Sequence, residues 1–404
     1  MVRASPRILW LACLVPLALL GLEQASLAGY IGGDFRIFHR AVARFLSDPA
    51  TLYGPAGTPL QSGQTLQGFI YPPPGILALL PFGLGALETD FTLFVTLSTV
   101  LAAGALAIWL RLAPPRHAPP AVQVALVLMA LASGPAFACR AGQIDLLILA
   151  LCTAGAWCAL GTRPMLGGAL LAIGAWIKIY PVLVAVPLVI AAPRGRHVAA
   201  GFGLAALAVP ALAALAVPPL LWRQYFFELL PQMSLRAIVN IYNQSLAAIW
   251  LRTQIPHGQA LDSFAAMAVP APVRLAVASL AIALIALATR KAWRTPSALP
   301  MACLVALATI SIAAPLGWGH AYVYVIPLWL VLAASAWESR DWSQIGLTGG
   351  AWLLLLPSAH HRFTFAAWGE PLWSLTYGRY AIAALLLIAL ALGGKPGRET
   401  ARMP

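Results

Sequence analysis

Long apolar runs, each about as long as a membrane crossing, alternate along this chain with short polar stretches. The first extends from Ile8 to about Leu22, and others lie near 72–87, 91–111, 121–139, 143–160, 164–192 and 197–218. A further series follows near 273–289, 299–317, 320–336, 344–357 and 375–392. The runs lack the period-two alternation of membrane β-barrel strands. Helices are therefore the expected spanning element, since they satisfy every backbone polar group internally. At roughly 20 residues per crossing, the apolar material supports about ten to twelve transmembrane helices. The expected fold class is an all-α polytopic membrane protein, with residues 1–404 forming one integral unit.

Two polar stretches are long enough to lie outside the bilayer, 29–70 and 219–271. In the first, apolar residues recur at Phe35, Phe38, Val42 and Phe45, opposite a stripe of Arg36, Arg40 and Arg44. That spacing predicts an amphipathic helix lying on the membrane surface, with Asp34 at its N-cap position.

Basic residues orient the bundle, because cytoplasmic loops carry the excess of lysine and arginine. Arg3 and Arg7 place the N-terminus in the cytoplasm, ahead of a first helix expected to be retained. Arg194 with Arg196, the Arg290–Arg294 loop, Glu338 to Asp341, and the tail with Lys395 and Arg398 are assigned to the same side. The stretches 29–70, 219–271 and 358–374, with the turn around His320, then share the exterior face. If 72–87 crosses fully, Arg111 and Arg116 lie outside, against the bias. If it is re-entrant and 164–192 breaks at Pro181, they lie inside, and Arg140, Gln143 and Lys178 move toward the exterior face. The second arrangement is the one expected.

Composition narrows the class. The 404 residues are 61% apolar and 9% charged, with 25 basic and 12 acidic side chains. Soluble domains carry about 25% charged residues, so a soluble fold could not cover its surface. Disorder is excluded by the same hydrophobicity. The net charge of +13 is dispersed over short loops, which fits topology signalling and attraction to anionic lipids rather than nucleic acid. The five cysteines have no metal-ligand spacing, and no Walker A loop, dinucleotide fingerprint or His-Glu-x-x-His motif is present.

In so apolar a chain the remaining polar residues are candidates for chemistry. Asp34 can cap its helix or, with one oxygen free, act as a general base at the interface. Tyr71 belongs to an aromatic belt or to a substrate wall. Arg140, Gln143 and Asp145 cluster at a helix break, and Lys178 follows in a later segment. Asp145 can form a structural ion pair with Lys178 or Arg140, while Arg140 and Lys178 are suited to grasping a phosphate. Asn240, Asn243 and Gln244 can bind hydroxyls or cap helices. His320, between Trp318 and Tyr322, is a buried turn residue or part of a polar pocket.

Several of these pieces occur in an order that resembles glycosyltransferase family 87, the polyprenol-phosphate-dependent multispanning transferases. They are Gly33-Asp34-Phe35, Leu52-Tyr53-Gly54-Pro55, Tyr71-Pro72-Pro73, Gly142-Gln143, Lys178-Ile179-Tyr180-Pro181, Asn243-Gln244-Ser245-Leu246 and Trp318-Gly319-His320-Ala321-Tyr322. The resemblance implies a multispanning glycosyltransferase C-type fold. It also implies an inverting transfer of a sugar, typically mannose, from a polyprenyl phosphate to a lipid or glycan acceptor. It makes Asp34 the expected base and maps the family's late histidine to His320. Two departures stand out: Asp145 where the family often has asparagine, and Ile179-Tyr180-Pro181 where Pro-x-Pro is common after the lysine.

On this reading Arg140 and Lys178 hold the donor phosphate. Tyr71, Gln143, Asn243, Gln244, Trp318 and Tyr322 contact substrate. No cofactor is required, and a divalent cation is left open. The expected partners are the polyprenyl-phosphate sugar, a lipid or glycan acceptor and membrane lipids, around a monomer in the bacterial inner membrane. The active site would face the exterior, with both termini cytoplasmic. Two competing readings are a transporter or flippase, which would explain the intramembrane charges, and a non-enzymatic assembly factor, for which Asp34 would be dispensable.

Overall fold

The computed structural model describes residues 31–53, 68–113, 118–255, 265–356 and 378–393. The first apolar run, Arg116, the segment 358–374 and the basic tail lie outside the described residues. The chain is a polytopic membrane protein of helices with almost no sheet.

The described chain opens with α1 (Gly33–Ser47) and reaches α2 (Gly75–Leu79) after one 3-10 turn at Pro49–Thr51. Then come α3 (Leu87–Leu112), α4 (Pro120–Leu131), α5 (Gly134–Ala141), α6 (Asp145–Leu160), α7 (Pro164–Ile177), α8 (Pro181–Ala191) and α9 (Gly195–Ala213). The second polar stretch contains α10 (Pro219–Arg223), a π-helical turn Gln224–Leu229, α11 (Leu230–Leu235) and α12 (Leu246–Arg252). It also holds a two-stranded antiparallel pair, β1 (Arg236–Ile238) with β2 (Ala266–Ala268). The last helices are α13 (Ala271–Arg294), α14 (Leu299–Ala313), α15 (Ile326–Ser339), α16 (Trp342–Leu355) and α17 (Arg379–Gly393). A 3-10 helix, Gly319–Tyr324, joins α14 to α15.

Among the described residues, five helical stretches are long and apolar enough to cross a membrane, and five shorter apolar helices run 10–17 residues. One of the long stretches joins α4 and α5 across a turn at Ala132-Ser133. The segment 72–87 does not cross. Its helical part is α2 and one 3-10 turn, Leu80–Phe82, far short of the roughly 20 residues required. The segment 164–192 divides into α7 and α8, as the re-entrant arrangement expects. Lys178 leaves α7 in an extended conformation, and Pro181 opens α8 at a position where its missing N–H costs nothing.

Packing corrects the expectation for α1. Phe35, Phe38, Ala41, Val42 and Phe45 are all buried, so the apolar stripe was read rightly, but protein covers it rather than lipid. Phe35 sits 5.2 Å from both Phe91 and Phe94 of α3, and Phe38 meets Tyr71 edge-on at 5.5 Å. Burying each large side chain contributes about 1.5–3 kcal/mol, enough to fix the helix on the bundle. Arg36, Arg40 and Arg44 stay exposed. One cluster of buried apolar residues runs from Phe38 to Ala391, with α7 packed between α6 and α9.

Candidate active site

The site begins where α1 crosses the end of α5. Gly142 ends α5 in the left-handed region, with φ of 73°. A Cβ there would lie 2.5 Å from the Phe35 Cβ, and a Cβ on Gly32 would strike the Arg140 and Ala141 carbonyls. Two glycines thus let the backbones touch, which brings Asp34 and Arg140 to the same cavity. Gly32, not Asp34, occupies the N-cap, and no side chain caps the helix. The Asp34 carboxylate sits in the first turn instead. Among the described residues it has no hydrogen-bond or ion-pair partner, so the capping role expected from sequence is corrected.

The cavity measures about 620 Å³. Asp34, Tyr71, Arg140, Gln143, Lys178, Trp318 and His320 line it, from five separate parts of the chain. The α7–α8 break aims Lys178 into it, with the ammonium over the Tyr71 and Tyr180 rings at 5.5 and 5.2 Å. Tyr71 donates to Gln143 Oε1 at 3.1 Å, and its own carbonyl accepts from Tyr53 at 2.9 Å. Burial, reinforced by the Asp145 and Asp34 carboxylates, holds the Tyr71 phenol well above its ordinary pKa. It therefore remains a hydrogen-bond donor throughout the physiological range.

Behind this wall lies Asp145, fully buried at the start of α6. Its Oδ1 accepts from Lys178 Nζ at 2.7 Å and Tyr324 Oη at 2.6 Å, and its Oδ2 meets His320 Nδ1 at 2.9 Å. The sequence left Asp145 between Lys178 and Arg140 as partners. The pair formed is with Lys178, and the links to His320 and Tyr324 were not anticipated.

Asn243, Gln244 and Tyr322 do not line the cavity. All three are buried in the scaffold that holds the His320 turn. Asn243 Nδ2 donates to the Ile238 and Pro315 carbonyls, and Asn243 forms a backbone bridge with Trp318. Gln244 N bonds the Gly317 carbonyl at 2.8 Å, while Tyr322 Oη donates to the Gln244 carbonyl at 2.7 Å. Arg252 closes this knot from α12, donating to the Asn240 and Asn243 carbonyls at 3.0 and 2.6 Å. Burial lowers the Arg252 pKa to about 10, which leaves it charged at neutral pH. Tyr180, Tyr225 and Tyr242 also line the cavity, although the sequence reading passed over them as site residues. Their signal was the aromatic recurring beside each polar cluster.

Chemically, the cavity sets one carboxylate, with no hydrogen-bond or ion-pair partner among the described residues, beside three basic side chains and an apolar wall of Ile37, Ile70, Leu230 and Met233. Among the described residues no three His, Cys, Asp or Glu side chains converge as a ligand set. Basic side chains suit an anionic group. The sequence pattern of glycosyltransferase family 87 matches residues 69–316. That is more than half of the chain.

The chain belongs to glycosyltransferase family 87.

It is a glycosyltransferase, and its reaction class is the transfer of a sugar. No curated protein matches the transferase. Asp34 lies well before the matched residues and His320 just after them, while Tyr71, Arg140, Gln143, Asp145 and Lys178 lie within them.

Proposed function

We propose that this transferase moves a sugar, mannose by family resemblance, from a polyprenyl phosphate to a hydroxyl of a lipid or glycan acceptor at the exterior membrane face. The observation that carries the proposal is Asp34, a carboxylate with no hydrogen-bond or ion-pair partner among the described residues, in the same cavity as Arg140, Lys178 and His320. Asp34 accepts the proton of the acceptor hydroxyl as that oxygen attacks the anomeric carbon. The bond to the lipid phosphate breaks on the opposite side, so one displacement inverts the configuration. The departing phosphate is already a stable anion and needs little proton assistance, unlike the alcohol released by a glycosidase. Arg140, Lys178 and His320 stabilise its charge in place of water. The apolar wall supports a lipid-linked donor rather than a free nucleotide sugar.

Purified enzyme in liposomes, supplied with a panel of polyprenyl-phosphate sugars, tests this directly. Asp34→Asn is expected to lower transfer by about 10²- to 10⁴-fold while leaving donor binding intact. Normal turnover by this variant would remove Asp34 from the mechanism. Vectorial movement of the lipid without transfer would favour a flippase.

A further inference from the structure

Asp145 is placed to control a proton it never hands to substrate. The side chain is fully buried and receives hydrogen bonds from three side chains, Lys178, His320 and Tyr324. A carboxylate paired with an ammonium at 2.7 Å is ionised and can only accept. The His320 nitrogen facing it, Nδ1, must therefore carry a proton. The other nitrogen, Nε2, has no hydrogen-bond partner among the described residues, and the ring lines the cavity.

We propose that Asp145 is a positioning residue that sets the tautomer of His320, fixing one proton on Nδ1 and reserving Nε2 for the cavity. The neutral ring then offers a lone pair at Nε2. When Nε2 takes a proton, the ring becomes an imidazolium that donates into the cavity at Nε2 and still donates to Asp145 at Nδ1. Both states fit one ring orientation. A proton is exchanged at a single atom, and no bond to the scaffold is broken.

Asparagine at this position would act differently. Lys178 can only donate, and with Tyr324 it would claim the amide oxygen. The amide NH₂ would then face Nδ1, which would have to accept. The proton would move to Nε2, and the imidazolium state would set N–H against N–H. The carboxylate thus makes His320 a two-state group, where an amide would hold it in one. The value of this to sugar transfer rests on the proposed reading of the cavity; the tautomer itself does not.

The test uses ¹⁵N-histidine-labelled full-length enzyme in nanodiscs, at a pH where histidine side chains are neutral. The His320 signals are identified by their loss in His320→Gln. Wild type is expected to show a protonated Nδ1 and a bare Nε2, and Asp145→Asn the reverse. A proton on Nε2 in wild type, or the same tautomer in both proteins, would overturn the proposal. If Asp145→Asn folds poorly, Asp145→Glu keeps a carboxylate to accept from Nδ1 and should keep the wild-type tautomer, so a proton on Nε2 in that variant would likewise overturn the proposal. In the transfer assay, Asp145→Asn should reduce kcat by about 100-fold without raising the donor KM, because Arg140 and Lys178 are both retained. A raised KM at unchanged kcat would contradict a positioning role. Wild type that transfers sugar from no polyprenyl-phosphate donor would sink the proposed function, while the tautomer measurement would still decide the role of Asp145.

Discussion

Lys178 has two faces, one on the cavity and one on Asp145. Its ammonium lies 2.7 Å from a carboxylate that water cannot reach. Removing one member of a buried pair leaves the other ion uncompensated, at a cost of about 3–5 kcal/mol. Lys178→Met is accordingly expected to lower the melting temperature in nanodiscs and to raise the donor KM. Wild-type stability in that variant would mean that Asp145 does not depend on the ammonium. The residues most legible in the sequence were those whose polarity had no other explanation in an apolar run: Asp34, Arg140, Gln143 and Lys178 all line the cavity. Asn243 and Gln244 look equally available in the sequence, yet they are buried with their amides on backbone carbonyls. An amide can serve ligand or scaffold with the same donors, and only the fold shows which carbonyls are within reach.

Among the elements, the crossing of α1 over α5 bears most directly on the site. Gly142 needs the left-handed region, which costs other residues about 1–2 kcal/mol, and a Cβ there would press on Phe35. Gly142→Ala should shift α1, move Asp34 away from Arg140 and reduce transfer by roughly 100-fold. Gly349→Ala in α16, where a Cβ meets nothing within 4 Å, is expected to leave transfer unchanged and serves as the control. Equal activity in the two variants would show that the crossing does not set the site. Most helix positions were legible, because apolar runs bounded by proline, glycine and charge mark their own ends. The strands β1 and β2 were not, since three-residue strands are too short to display a period. The lipid covering expected for the apolar face of α1 was misread for a related reason. Amphipathicity reports that a face is covered, and protein can cover it as well as lipid.

Over the whole molecule, the exposed surface agrees with a lipid setting. Only 17% of the apolar stretch in α9 and 11% of that in α13 is buried by protein, and Leu207 and Ile282 are among the side chains left outside. The helices α14 and α15 meet at the cavity through the Gly319–Tyr324 turn, so their far ends, Leu299 and Ser339, lie at the opposite end of the bundle. Single cysteines replacing Ser234, at the cavity, and Ser339 should therefore react with an impermeant maleimide from opposite sides of a sealed vesicle. Ser234→Cys should react from the exterior. Labelling of both from one side would refute the two-ended arrangement, and Ser234→Cys reacting only from the cytoplasm would reverse the proposed face. The basic loops are what suggest this arrangement in the sequence, whereas the cavity itself required contacts between residues nearly three hundred positions apart.

The Asp145–Lys178 pair also bears on how such a chain gets into a bilayer. Ribosomes deliver α6 and α7 well before His320 and Tyr324 exist, so of the carboxylate's three partners in the fold the ammonium from the end of the next helix comes first. Inserted as a hairpin, the two helices carry matched ions, and neither charge has to enter hydrocarbon alone. The bond that later braces the finished cavity thus first serves as a passport for the helices that build it.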